Sequence, residues 1–156
     1  GNGAPKHFLS WSNNLTWRNF DLSVFFRGTF GFDVFNMRKY GMGLQGCGTD
    51  NVLRSAYLED KNIRTGGGVI SSYFLEDGSF IKLENVTLGY NFTPKNRKLL
   101  DNMRIYLSAK NLFTLTGYSG NDPSIIDVNG IQPGVDSNSA YPTATQLSLG
   151  VTLRFK

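Results

Sequence analysis

The sequence predicts an all-β protein built of antiparallel strands of a transmembrane β-barrel, with long extracellular loops and short periplasmic turns. Three observations predict it. Residues 146–156 alternate apolar and polar with period two, and a strand points successive side chains to opposite faces. Four more stretches alternate in the same way, and the connections between the five run short, long, short, long, as in outer-membrane barrels. Aromatic residues fall at strand ends in the apolar phase, at the level where a barrel meets the membrane interface.

Composition agrees. The 156 residues are 40% hydrophobic, 13% aromatic and 18% charged, with 18 glycines, a balance that favours strands and turns over helices. The net charge of +4 is scattered. No basic stripe with interleaved aromatics points to nucleic acid. Cys47 is the single cysteine, which excludes an intrachain disulfide and a cysteine-rich metal site. The opening GNGAPKH has no basic and apolar halves of a signal peptide. No run of eighteen apolar residues occurs, and barrel strands do not need one.

The elements follow in order. In residues 8–17, Leu9, Trp11, Leu15 and Trp17 share a phase, with Asn13 as an exception. Arg18 and Asn19 make a tight turn. In 20–30, Phe20, Leu22, Val24, Phe26 and Phe30 face one way, and Asp21, Ser23, Arg27 and Thr29 the other, so the two runs read as a hairpin. Residues 31–72 are expected to be irregular, with Asp50 capping a short helix over 51–58. Gly41, Gly43 and Gly46 fit G-x-G-x-x-G, but no βαβ unit surrounds them and a loop is the better reading. Residues 73–92 return to strand. Val86, Leu88, Tyr90 and Phe92 share a phase while Ile81 and Leu83 take the opposite one, which predicts a bulge near Glu84 and Asn85. A polar turn with Pro94 follows. In 103–115, Met103, Ile105, Leu107 and Ala109 oppose Arg104, Tyr106, Ser108 and Lys110. Residues 117–143 form a second long loop. The last strand sets Leu147, Leu149, Val151, Leu153 and Phe155 against Gln146, Ser148, Gly150, Thr152 and Arg154.

Five strands cannot close, and lipid cannot hydrogen-bond a free sheet edge. The expectation is therefore about five strands of a larger closed barrel. Trp17, Phe20, Tyr90, Phe92 and Phe155 would form its aromatic girdle at the periplasmic end, and Phe30, Phe74, Phe113 and Tyr118 are candidates for the other end. Arg27, Arg104, Lys110 and Arg154 would face the lumen. The alternative is a soluble or secreted all-β carbohydrate-binding module using the same loops, since a sandwich strand also alternates.

Several stretches resemble SusC/RagA-type TonB-dependent transporters. They are residues 73–90 (YFLEDGSFIKLENVTLGY), 109–123 (AKNLFTLTGYSGNDP), 133–136 (PGVD), Tyr141 with Pro142, and 19–28 (NFDLSVFFRG). The resemblance implies an outer-membrane transporter of the Bacteroidetes type that imports oligosaccharides or peptides. It implies a SusD-like surface lipoprotein as lid, and TonB as energy source acting through an upstream part. Residues 1–156 would be the C-terminal part of the barrel, with the plug domain and earlier strands absent from this stretch. The location implied is the bacterial outer membrane, multi-pass, with a periplasmic C-terminus and lipid around the strands.

Candidate site residues are few. Tyr118, Asn121, Asp122, Asp136 and Tyr141 are loop residues suited to a ligand or partner, because aromatic faces stack on ligands and amides hydrogen-bond hydroxyls. No cofactor is expected; the one opening is calcium at Asp122, Asp127 and Asp136 with Asn121 and Asn129, whose spacing is not that of an EF-hand. Ser148, Gly150, Leu153 and Phe155 fit the C-terminal signal read by the barrel-insertion machinery. His7 is the only histidine, so zinc and Ser-His-Asp chemistry are not expected and the segment is read as non-enzymatic.

Overall fold

The computed structural model describes residues 1–43, 51–54, 70–94, 100–126, 131–137, 141 and 143–156. The strands are β1 (His7–Trp17), β2 (Phe20–Phe30), β3 (Asp33–Asn36), β4 (Leu75–Asp77), β5 (Phe80–Phe92), β6 (Leu100–Thr116), β7 (Val135–Asp136) and β8 (Gln146–Phe155), with one short helix, α1 (Met37–Met42), after β3. The chain divides into two compact units.

The sheet unit comprises residues 8–28, 81–115 and 143–156. Its strands belong to a five-stranded sheet in the order β1-β2-β5-β6-β8. The five alternating runs therefore pair as neighbours in chain order, and β1 and β8 are its edges. The β1–β2 turn is tight because Arg18 adopts a left-handed φ of 54°. β6 and β8 are antiparallel, with Met103 opposite Leu153, Ile105 opposite Val151, Leu107 opposite Leu149 and Ala109 opposite Leu147. Between them Arg104 meets Thr152, Tyr106 meets Gly150, Ser108 meets Ser148 and Lys110 meets Gln146. Apolar pairs with apolar and polar with polar along the whole ladder, so each strand adds to the same two faces.

Glu84 and Asn85 are sequence neighbours, yet both reach partners on the polar face: Arg27 Nε donates to Glu84 at 2.6 Å, and Ser108 Oγ donates to Asn85 Oδ1 at 3.4 Å. That is the signature of the phase change expected at this point of β5.

The sheet unit has almost no core. Among the described residues, the buried hydrophobic side chains are Phe32, Val34, Phe74, Phe80, Tyr118 and Ile126 in the other unit, and only Leu83 and Ala109 in this one. Leu9, Trp11, Leu15, Leu107, Leu149 and Phe155 are all more than half exposed.

The loop unit comprises residues 1–7, 29–80 and 116–142. It corrects the expected irregular loops, whose described residues include short strands and a helix. β3 pairs antiparallel with β4, Val34 opposite Glu76, and parallel with β7, Phe35 opposite Val135. Phe32, Val34, Phe80, Tyr118 and Ile126 form its core. A second cluster sets Phe74 edge-on to Tyr40, Phe35 and Tyr73 at centroid distances of 5.2, 6.0 and 5.3 Å. Phe74 and Tyr118, read above as girdle candidates, are thus core residues. The expected single strand over 73–92 breaks into a 3-10 turn, β4 and β5, because Asp77 Oδ1 accepts the Ser79 N–H at 2.9 Å and turns the chain. Of the helix expected over 51–58, residues 51–54 are not helical and the rest lie outside the described residues. The helix that does form is α1, where Asn36 caps the Lys39 N–H. Gly41 lies near its C-terminal end, and Gly46, the last glycine of the motif, lies outside the described residues. β6 begins at Leu100, three residues before the expected start, with a register irregularity between Leu100 and Asn102.

Candidate functional site

Two polar arrangements stand out, one in each unit. On the polar face of the sheet, Asp21 of β2 and Arg104 of β6 pair across the intervening strand β5. Arg104 Nε donates to Asp21 Oδ1 at 3.1 Å, its Nη2 donates to Oδ2, and Asn91 Nδ2 donates to Oδ1 at 2.8 Å. A two-pronged guanidinium–carboxylate pair fixes both side chains. It lies over Gly89, where a Cβ would sit 2.5 Å from both carboxylate oxygens. The Arg104 guanidinium also stands 5.0 Å from the Tyr106 ring centroid, and that ring covers Gly150 of β8, where a Cβ would lie 2.3 Å from Tyr106 Cζ. Asp21, Arg104 and Tyr106 therefore link four adjacent strands across two glycines, where any larger residue would push these side chains out of place. The residue types were legible in the sequence, but their partnership was not, because it depends on strand order. Thr87 Oγ1 donating to Ser108 Oγ at 3.1 Å extends the same face.

In the loop unit, Glu76 is a hub. It accepts from Ser119 N and Ser119 Oγ, both at 2.8 Å, and from Asn36 Nδ2 at 3.3 Å, with the Lys39 ammonium at 3.5 Å. Burial pushes its carboxyl up, but these donors and the ammonium outweigh burial and hold it below the ordinary glutamate range. Lys39 also stands 4.3 Å from the Tyr73 ring centroid. An open cavity of about 590 Å³ is lined here by Lys39, Leu53, Arg54, Glu76, Asp77, Gly117 and Ser119. Lining groups of both charges suit a polar ligand. This cavity is not legible in the sequence, because Asn36, Glu76 and Ser119 come from three distant stretches.

The candidate loop residues have different fates. Tyr118 is buried, and its hydroxyl donates to Asp136 Oδ2 at 2.6 Å. Burial first, then that carboxylate, drives its phenol pKa well above the usual tyrosine value. Asp122 is buried and caps a 3-10 turn by accepting the Ser124 N–H at 2.9 Å. Asn121 Oδ1 accepts from Arg38 Nη1 at 2.7 Å. Tyr141 is 89% exposed. For calcium, Asp127 and Asn129 lie outside the described residues. Among the described residues no group of three or more His, Cys, Asp or Glu is placed to hold a metal ion.

Of the girdle residues, Trp17 and Phe20 stack at 6.5 Å and Phe20 meets Tyr90 at 4.8 Å, so rings from β1, β2 and β5 form a lateral row. Phe92 and Phe155 are exposed. Of the insertion-signal residues, Gly150 lies under Tyr106, and Leu153 and Phe155 lie on the apolar face of β8.

An open antiparallel sheet with one continuous apolar face and one polar face has the build of a barrel wall, and the comparisons specify which kind. No family model matches the sequence. Over 99% of its length the chain is 26% identical to the TonB-dependent receptor P3 of Formosa agariphila, and over 97% it is 28% identical to the TonB-dependent receptor SusC of Bacteroides thetaiotaomicron. It spans 17% and 15% of those relatives. Among solved structures, the RagAB peptide importer in its closed-closed state superposes with a TM-score of 0.77 at 24% identity, over 97% of this chain and 17% of that one. The chain thus has the fold of a strand block of a TonB-dependent barrel and is similar in sequence to TonB-dependent receptors, which are not enzymes.

Proposed function

We propose that this chain is the C-terminal strand block of an outer-membrane TonB-dependent transporter that imports oligosaccharides or peptides. In this reading the plug and earlier strands lie upstream and carry the TonB contact. A SusD-like lipoprotein closes over the extracellular side, as the pairing named in the RagAB importer suggests. The strands provide wall, and the loop unit, with its cavity at Arg54 and Glu76 and the exposed Tyr141, meets substrate or lid. The C-terminus is periplasmic, and this segment holds no cofactor.

The observation that carries the reading is the sheet without a core. Water would face a continuous apolar surface on five strands, a surface far beyond the scattered exposure of soluble proteins. That weighs against a soluble carbohydrate-binding module, whose sheet would bury such a face.

The test uses the full-length receptor in its own cells, with Cys47→Ser and every cysteine outside this segment replaced as background. Tyr141→Cys is expected to react with a membrane-impermeant maleimide on intact cells, and Lys156→Cys only after the outer membrane is opened. Labelling of Lys156→Cys on intact cells overturns the topology, and recovery of the receptor in the soluble fraction overturns the whole reading.

A further inference from the structure

We propose that Tyr106 is a positioning residue that sets the register of the terminal strand during barrel assembly, by admitting only Gly150 beneath its ring. The inference rests on the reading of the sheet as an outer-membrane barrel wall.

Alternation leaves one choice of register undecided. A slip of β8 by one residue would turn its whole apolar face to the polar side, so the pattern itself excludes it. A slip by two residues keeps every side chain on its own face. Along the apolar face of β8 stand Leu147, Leu149, Val151, Leu153 and Phe155, which differ little in size and polarity. Against Met103, Ile105, Leu107 and Ala109 they offer weak discrimination between the observed register and one shifted by two. Something on the polar face must supply it.

Tyr106 does so. It stands opposite Gly150, and its ring occupies the space of the missing side chain, with Cζ 2.3 Å from where a Cβ would be. A shift of two in either direction would bring Ser148 or Thr152 beneath the ring, and each brings a Cβ that the ring must vacate. The ring is not free to swing away at no cost. The Arg104 guanidinium stands over it at 5.0 Å, and Arg104 is itself held by Asp21, whose carboxylate also accepts from Asn91. The register of β8 is thereby referred through β6 to β5 and β2. The same account explains the glycine of the C-terminal insertion signal by packing rather than by recognition alone.

The experiment uses the full-length receptor with Cys47→Ser and every cysteine outside this segment replaced, expressed in its own outer membrane. Ser108→Cys with Ser148→Cys reports the observed register, and Ser108→Cys with Gln146→Cys reports a slip of two. Crosslinked peptides are quantified by mass spectrometry. The parent and Tyr106→Phe, which keeps the ring, are expected to crosslink through the first pair. Tyr106→Ala is expected to lose several-fold in that crosslink and to gain the second. Equal crosslinking of Tyr106→Ala and the parent through the first pair overturns the proposal.

A second measurement holds even where Tyr106→Ala assembles poorly. Gly150→Ala is expected to reduce the heat-modifiable, assembled receptor when Tyr106 is present, and to be neutral or favourable when Tyr106→Ala has removed the ring. Losses that simply add overturn the proposal. A parent receptor that never reaches the outer membrane overturns the barrel reading beneath it, and the proposal with it.

Discussion

Replacing Leu149 with arginine separates a lipid-facing strand from a water-facing one. Leu149 is 76% exposed in the chain alone and pairs with Leu107, itself on the apolar face. β8 has ten residues. At a rise of about 3.3 Å per residue and a tilt of about 45°, it spans about 23 Å, close to the roughly 25 Å apolar band of a membrane barrel. Leu149 then lies about 7 Å inside the band from the Gln146 end, near enough to the midplane for an arginine to cost about 2–3 kcal/mol. Ser148 is its neighbour at nearly the same depth, but it lies on the polar face beside Ser108, the lumen side of the proposed barrel. Ser148→Arg meets water there and is expected to cost less than about 1 kcal/mol. The assay is equilibrium unfolding of the full-length receptor by guanidinium in thin lipid vesicles, followed by tryptophan fluorescence. On a water-facing surface, both substitutions would fall within about 0.5 kcal/mol of the parent. Equal, small effects at the two positions would refute the assignment of the apolar face to lipid.

Three further outcomes concern the loop unit. Glu76 has a folded pKa lowered from 4.5, so its contribution to stability is fully present above about that pH and is lost as pH falls through the lowered value. Hydrogen-exchange protection of the β3 and β4 amides of the full-length receptor, taken relative to the intrinsic rate at each pH, is expected to fall in that acid window, and Glu76→Gln to remove that dependence; an unchanged acid profile in the variant would show that another group carries it. Tyr118→Phe keeps the ring in the core and deletes the bond to Asp136, so local opening measured by the same exchange is expected to become easier by about 1.5–3 kcal/mol. Unaltered exchange would mean that the bond is worth nothing net. Asn36→Ala removes the α1 cap and the amide donor to Glu76 and is expected to cost about 1–2 kcal/mol. Asn36→Asp keeps the cap but sets a second carboxylate beside Glu76, and should not restore the parent.

Some of this was legible in the sequence for a definite reason. The five long strands were, because a two-faced sheet writes its period into the chain: Leu147 to Phe155 and Met103 to Ala109 alternate almost without exception. The phase change at Glu84 and Asn85 was legible for the same reason. What alternation cannot carry was lost. β3, β4 and β7 have four, three and two residues, too short for a period to show. α1 is six residues long, and its signal is the single cap Asn36. The burial of Tyr118 was unreadable because its partners Phe32, Val34 and Phe80 arrive from other stretches. Asn13 was read as an exception in the apolar phase of β1 and remains one: its Oδ1 is buried without a hydrogen-bond partner, on an edge strand whose other side has no paired neighbour among the described residues.

The two units also dispose of their apolar side chains differently. The loop unit behaves as protein does in water: aromatic residues are buried, and the carboxylates of Glu76, Asp122 and Asp136 each accept a hydrogen bond. The sheet unit inverts that order. Its polar groups pair among themselves on one face, Asp21 with Arg104 and Arg27 with Glu84, while its apolar side chains stay open. A sheet of this kind gains little from collapse, since almost nothing is buried to drive it. Its cohesion in isolation would rest on the backbone ladder and on that polar face, and a net hydrogen bond is worth only about 1 kcal/mol in water. In lipid the balance changes. Unpaired backbone groups there cost several kcal/mol each, so the ladder becomes obligatory and errors of register become expensive. A barrel wall therefore needs register to be specified more sharply than its uniform apolar face can specify it. In the proposed barrel, the glycines under the Asp21–Arg104 pair and under Tyr106 meet that need on the polar face.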